Sequence, residues 1–290
     1  MTAPREYDAK PALSVIVPAS NEADWIEPCL RAVLASGGVR LQVVVVANGC
    51  RDDTATRARA LTGDFAARGW SLQVIERAEP GKPGALNAGD AAARLPLRAY
   101  LDADVTVSPP LLAQIGAALA GDGARYASGR PRVTARGAVT RAYARFWQGM
   151  PFLTRGVPGF GLFAVNTEGR ARWGDFPDII SDDTFVRLQF APHERHLVPA
   201  RYDWPMVEGF AALVRVRERQ DRGVAEIAAR FPALPANAGH ARPGKAALTA
   251  RALRDPAGFA VYALVTLAVR LRGMARRWRG RDQADWGRGR

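Results

Sequence analysis

The sequence predicts an α/β fold: a central, mostly parallel sheet with helices on both faces, followed by a C-terminal helical extension. Short apolar runs alternate with stretches of helical spacing across residues 13–101. The runs are rich in β-branched residues on both faces, as parallel strands covered by helices should be. Polar and glycine-containing segments fall just after the runs, where open parallel sheets place their ligands.

The elements follow in order. Leu13 to Val17 is a short apolar run ended by Pro18 and reads as a buried strand. Asp24 to Ser36 has helical spacing, with Trp25, Ile26, Leu30, Val33 and Leu34 on related faces, and Gly37-Gly38 stops it. Leu41 to Val46 is a second strand. Asp52 is placed to cap a helix running to about Ala67. Leu72 to Ile75 reads as a strand, Ala85 to Arg94 as a helix and Ala99 to Leu101 as a fourth strand. Further on, Pro109 to Ala120, Ser181 to Phe190 and Phe210 to Arg230 have helical patterns, and Gly161 to Val165 reads as a strand. Repeated β-α-β order implies the parallel sheet. The organisation expected is a domain over residues 1–231, a linker of Pro, Ala, Gly, Asn and His over 232–246, and a basic, partly apolar helical segment over 247–290.

Composition narrows the class. The chain has 290 residues, 48% of them hydrophobic, enough to bury a sizeable core. Of the net charge of +13, residues 241–290 supply +9, from twelve Lys/Arg against three Asp. A basic tail of this kind meets anionic lipid, nucleic acid or only water. No basic–aromatic stacking platform or helix-turn-helix pattern supports nucleic acid. The two cysteines, Cys29 and Cys50, form no CxxC pair, which favours a reduced, cytoplasmic setting. Met1 to Lys10 lacks the apolar stretch of a signal peptide. The longest apolar run, Ala257 to Val269, is shorter than the roughly 20 residues of a membrane span.

Asp102-Ala103-Asp104 follows the apolar strand ending Tyr100-Leu101. Two carboxylates leaving a sheet together offer hard oxygen ligands to magnesium or manganese shared with substrate phosphates. In isolation they serve equally as a turn before Ser108-Pro109. Asp182-Asp183 opens a helical pattern. The helix dipole favours acids there, and a positioned carboxylate is also a general base. Gly81 to Gly89 is glycine-rich and carries Lys82, placed for a phosphate, but lacks Walker spacing. His193 and His196 have metal-like spacing without a partner cluster. Trp147, Phe152, Phe160 and Trp173 suit an acceptor pocket or the core.

In order and spacing these pieces resemble the family 2 glycosyltransferases, whose GT-A fold is a Rossmann-like nucleotide-binding domain. The resemblance runs from about Leu13 to Gly223. Pro18-Ala19-Ser20-Asn21-Glu22 is similar to the family's Pro-x-x-Asn-Glu loop, and Asn48 to Thr54 to its Asp-Asp-Gly-Ser-x-Asp-x-Thr segment. Lys82 to Gly89 resembles Lys-x-x-Ala-Leu-Asn-x-Gly, which includes Asn87. Asp102-Ala103-Asp104 matches Asp-x-Asp, Phe160 to Ala164 resembles the acceptor-side strand, and Ile180 to Thr184 resembles the Glu-Asp motif. The resemblance implies transfer of a sugar from a nucleotide diphosphate to an acceptor hydroxyl with inversion. It puts Pro18, Asn21, Glu22, Asn48, Lys82, Asn87, Asp102 and Asp104 at the nucleotide and a divalent cation (Mn or Mg) on Asp104 and Asp102. Asp183 would be the base, with Asp182 where the family usually has Glu.

Two positions depart from the family pattern. Its paired Asp after the second strand is Ala47-Asn48 here. An amide that accepts once and donates once suits uracil better than guanine, which points to a UDP-sugar. Near Arg219 to Gly223 the chain lacks the Trp of the polymer-making members, although Arg215, Arg219 or Arg222 remains able to pair with a diphosphate. The tail, with Phe259 to Val269 followed by Arg270, Arg272, Arg276, Arg277 and Arg279, suits an anionic membrane interface as well as docking on the domain. It points to a lipid-linked or polysaccharide-precursor acceptor and a peripheral place on the inner face of the membrane. The alternative is a catalytically inactive nucleotide-sugar-binding or scaffolding relative.

Overall fold

The computed structural model describes residues 10–239 and 244–278. In chain order the elements are β1 (Ala12–Ala19), α1 (Ala23–Leu34), β2 (Arg40–Asn48), α2 (Thr54–Ala60), α3 (Thr62–Ala67), β3 (Ser71–Arg77), α4 (Lys82–Ala92), β4 (Leu97–Leu101), β5 (Thr106–Val107) and α5 (Leu111–Leu119). They continue with β6 (Tyr126–Thr134), α6 (Ala138–Trp147), α7 (Pro151–Thr154), β7 (Leu162–Val165), α8 (Thr167–Arg170), α9 (Asp182–Leu188), β8 (Arg195–Pro205), α10 (Phe210–Arg230), α11 (Lys245–Arg254) and α12 (Pro256–Trp278).

The chain divides into two compact units. The first comprises residues 10–132, 157–178 and 182–204 and carries the sheet. Its strand order is β3-β2-β1-β4-β7-β6-β8-β5. β3, β2, β1 and β4 run parallel, whereas β7 is antiparallel to β4 and β6, and β5 antiparallel to β8. Successive residues of β2 explain why its centre, Val43 to Val46, is apolar on both faces. Val43 and Val45 join the cluster under α1, α3 and α5, while Val44 and Val46 pack with Ala85 of α4 on the opposite face. α4 lies so close to β1 that a Cβ on Gly89 would come 2.4 Å from Ile16 Cγ2. The glycine pattern of residues 81–89 is thus partly a packing requirement.

The second unit comprises residues 133–156, 179–181, 205–239 and 244–278. Its helices α6, α10 and α12 share an aromatic core. Tyr143 stacks on Tyr262 at 5.7 Å, and Phe146 meets Phe259 and Tyr262 at 5.6 and 5.1 Å. Arg145 and Asp255 form a two-bonded ion pair at 2.8–2.9 Å.

Several sequence expectations change. The single helix expected to run to Ala67 is two, broken at Leu61, whose φ and ψ of −90° and 1° leave the helical region. The N-cap of α2 is Asp53 rather than Asp52, whose carboxylate instead accepts the Thr54 amide and hydroxyl on one oxygen and the Ala23 amide on the other. β6 and β8 lack a clean alternating signal and were not predicted; their burial depends on partners far away in sequence. The segment expected to be too short to span a membrane lies in a longer helix. α12 continues through Arg270 and Arg272, so Pro256–Arg276 has the length and mean hydropathy (1.3) of a span, although only 11% of that window is buried. Within 232–246 a 3-10 turn occupies Leu234–Asn237, and residues 240–243 and 279–290 lie outside the described residues.

Gly89→Ala is expected to destabilise the protein by about 1–2 kcal/mol in urea titration. Overpacking against Ile16 should outweigh the better helix propensity of alanine.

Candidate active site

The carboxyl ends of β1, β2, β3 and β4 carry the predicted site residues. Strand order reverses direction between β1 and β4, so a crevice opens there. A cleft of about 210 Å³, counting its solvent-open mouth, lies at this point. Pro18 of β1, Lys82 of α4, Asp102 after β4, and Asp182 and Asp183 of α9 line it, with Tyr100 and Phe163 beside them. Those two rings stack at 4.9 Å.

Lys82 is the centre of the charge pattern. Its Nζ lies 2.7 Å from Asp102 Oδ1 and 3.2 Å from Asp182 Oδ2. Burial works against its charge, yet Asp102 and Asp182 outweigh it and hold its pKa well above the ordinary lysine value. Asp182 is 6% exposed. Burial raises its pKa to about 6; Lys82 opposes the rise, and Asp183 and Asp102 add to it. Asp183 is less buried and points less inward: its Oδ1 accepts the Thr184 amide at 2.6 Å. An acid at the cleft wall that is not consumed by an ion pair is suited to take a proton.

Asp102 is held from two sides. Its amide donates to the Gly161 carbonyl at 2.9 Å, and its own carbonyl accepts from Val105 at 3.1 Å. The turn sends Asp102 and Asp104 out from the strand end. Beneath them the buried Cys29 thiol donates to the Asp102 carbonyl at 3.8 Å. Burial raises the Cys29 pKa strongly, and the nearby charges of Asp104, Asp102 and Glu22 raise it further. Cys29 thus marks a point where acids from two segments, Glu22 after β1 and Asp102 and Asp104 after β4, converge. Asp104 does not line the cleft itself.

The loops after β1 and β2 are laced together. Asn21, with a φ of 57°, accepts the Arg51 amide on Oδ1 at 2.8 Å, and its own amide donates to Cys50 Sγ. The Glu22 amide donates to Thr54 Oγ1 at 2.8 Å, and Thr54 donates in turn to Asp52. Gly49, at φ +57°, accommodates the approach of Pro80, where a Cβ would sit 2.7 Å from the ring. Asn48 is 3% exposed at the end of β2. Asn87 has a different position from its neighbours in the motif. Its amide accepts from the Phe176 N–H at 2.7 Å and donates to the Phe176 carbonyl at 3.2 Å, so both ends hold that loop.

Among the described residues, no group of three His, Cys, Asp or Glu side chains is arranged to hold a metal. His193 lies in the 3-10 turn Pro192–Glu194 and His196 in β8. Asp102 and Asp104 form a donor set that suits magnesium or manganese taking its other ligands from a diphosphate, rather than a resident ion. Phe160 and Trp173 are buried, and Arg215, Arg219 and Arg222 are exposed along α10. Sequence reasoning missed Tyr100, which reads as ordinary core; only the packing brings it to the cleft.

A parallel sheet with acids and a lysine at its switch point defines a nucleotide-handling α/β enzyme. The chain matches the Glycosyl transferase family 2 model over residues 14–171, and it belongs to that family. Its fold is the GT-A fold. The mannosyltransferase PcManGT from Pyrobaculum calidifontis, solved with GDP-Man and Mn2+, superposes with a TM-score of 0.59 and 24% identity. That likeness covers 91% of this chain and 76% of the other. Glucosyl-3-phosphoglycerate synthase from Mycobacterium tuberculosis, solved with Mn2+, UDP and glucosyl-3-phosphoglycerate, gives 0.52 at 23% identity, covering 76% and 79%. In sequence, the succinoglycan biosynthesis protein ExoO of Rhizobium meliloti is 38% identical over 109 residues, covering 38% of this chain and 30% of that protein. The glycosyltransferase Rv0539 of Mycobacterium tuberculosis is 36% identical over 128 residues, covering 43% and 50%. The chain thus spans half or less of the length of these curated relatives.

Asp182 has a folded pKa of about 6 against 3.8 for an ordinary Asp. The folded state therefore binds this proton more tightly than the unfolded chain. The stability it contributes is fully present below about pH 4, falls as pH rises to about 6, and is flat above. Asp182→Asn should remove that fall and stabilise the ligand-free protein at pH 7 by up to about 3 kcal/mol, read from urea midpoints across pH.

Proposed function

We propose that this protein is an inverting hexosyltransferase that moves a sugar from a UDP-sugar to the hydroxyl of a glycan or lipid-linked acceptor. The observation that carries the reading is the convergence of Lys82, Asp102, Asp182 and Asp183 on one cleft at the carboxyl ends of the parallel strands. ExoO, a protein of succinoglycan biosynthesis, supports a polysaccharide-type product. An acceptor of that class is presented at a membrane, so a peripheral, cytoplasmic-face station belongs to the same proposal.

The nucleoside lies in the laced loops, against Pro18, Asn21, Glu22 and Asn48. Asn48, buried at the end of β2, presents an amide that can accept from and donate to the uracil edge. Solved neighbours carry both GDP-Man and UDP, and the amide at Asn48 supports the uridine reading. Lys82, half-exposed beside Asp102 and Asp182, is placed to meet the diphosphate. Asn87 acts one step back by fixing the Phe176 loop. Asp104 and Asp102 hold Mn or Mg, which when bound neutralises charge developing on the diphosphate.

Asp183 accepts the proton of the acceptor hydroxyl as its oxygen forms a bond to the anomeric carbon. The bond from that carbon to the phosphate oxygen breaks, and its electron pair leaves with the nucleoside diphosphate. One displacement from the opposite face inverts the configuration. Asp182, raised in pKa and paired with Lys82, sets the field around Asp183.

A thermal-shift screen is expected to show a rise with UDP plus manganese, little with GDP, and none with manganese alone. Asp104→Ala should abolish the manganese-dependent part of the shift. Asp183→Asn should keep donor binding and lower transfer by about 10²–10⁴-fold. Full transfer by Asp183→Asn would remove it as the base, and a metal-independent shift would remove the cation site.

A further inference from the structure

The outward face of α12 has no part in the chemistry above. Its inward face is settled: Phe259 and Tyr262 pack on α6, and Val265 is fully buried. On the flank, Arg272 and Arg276 meet Glu218 of α10. The opposite face carries Leu264, Leu267, Leu271, Met274 and Trp278, exposed by 55%, 52%, 52%, 58% and 95%. Their spacing alternates between three and four residues, so they form one continuous apolar stripe. A helix surrounded by water would carry polar residues there.

Either a second copy or a lipid surface could cover this stripe, and charge separates them. α12 contains no acidic residue, and its polar positions toward the C-terminus are Arg270, Arg272, Arg276 and Arg277, with Arg279 and Arg281 next in sequence. Two such helices packed stripe to stripe, in either direction, would set arginines beside each other with no carboxylate on either helix to answer them. An anionic lipid surface supplies both complements: hydrocarbon for the leucines and phosphates for the arginines. Although Pro256–Arg276 is long enough to cross a bilayer, crossing would strip the helix from α6 and from Glu218.

We infer that α12 lies in the plane of an anionic membrane, with the stripe of Leu264, Leu267, Leu271, Met274 and Trp278 sunk to the acyl boundary and Arg270 among the headgroups. This deepens the peripheral station proposed above and rests on the geometry of α12, independently of the donor.

The test is flotation of the full chain with phosphatidylcholine vesicles, with and without phosphatidylglycerol. Binding is expected only with phosphatidylglycerol and should weaken as salt rises. Leu267→Glu with Leu271→Glu should lower it about tenfold or more. Arg270→Gln, on an exposed side chain whose loss leaves packing intact, should lower it about fivefold. Both variants should keep the wild-type melting midpoint and the shift with UDP and manganese. Absence of wild-type binding would overturn the inference. So would a dimer, seen by light scattering, that the leucine substitutions dissociate without affecting vesicle binding, or protein that resists alkaline carbonate extraction as a spanning helix does. Vesicle binding without any nucleotide shift would instead reject the donor reading and leave this one standing.

Discussion

The ion pairs of Lys82 with Asp102 and Asp182 tie together three segments that are distant in sequence, and the cleft takes its form from them. Lys82 begins α4, Asp102 ends β4 and Asp182 begins α9. Burial is the main cause of the rise of Asp182 to about 6, and repulsion by Asp183 and Asp102 adds to it. A lysine between them relieves part of the strain.

The scaffold keeps the charges in place with neutral contacts. The loops after β1 and β2 are bound to each other through Asn21, Cys50, Arg51, Asp52 and Thr54, so neither can drift from the strand ends. Gly49 permits the approach of Pro80, and Gly89 permits the approach of α4 to Ile16. Asn87, in the same glycine-rich stretch, holds the Phe176 loop by two hydrogen bonds. Some residues that resemble a binding motif, Asn21 and Asn87 among them, thus have their hydrogen bonds already used within the protein.

The second unit shows a related division on a helix. α12 presents aromatic and β-branched residues to α6 and leucines outward, and a soluble protein needs only the first face. Its arginines are also divided, since Arg272 and Arg276 have Glu218 as a partner while Arg270 stands exposed.

The sequence by itself determined the alternation of strands and helices from β1 to β4, because parallel strands covered on both faces carry near-continuous apolar runs, as Val43 to Ala47 of β2 do. It also determined which residues follow the strand ends, and hence that Pro18, Asn48 and Asp102 share one edge of the sheet. These are local facts, set by periodicity and by chain order. Tertiary structure alone decided the pairing of Lys82 with Asp102 and Asp182, the place of Cys29 beneath three acids, and the occupation of Asn87 by Phe176. It also decided β6 and β8, whose burial comes from partners outside any local window, and which face of α12 is left open. The reason is the same in each case: a side chain's charge, burial and hydrogen bonds depend on neighbours in space, and those neighbours come from parts of the chain that no short-range pattern connects.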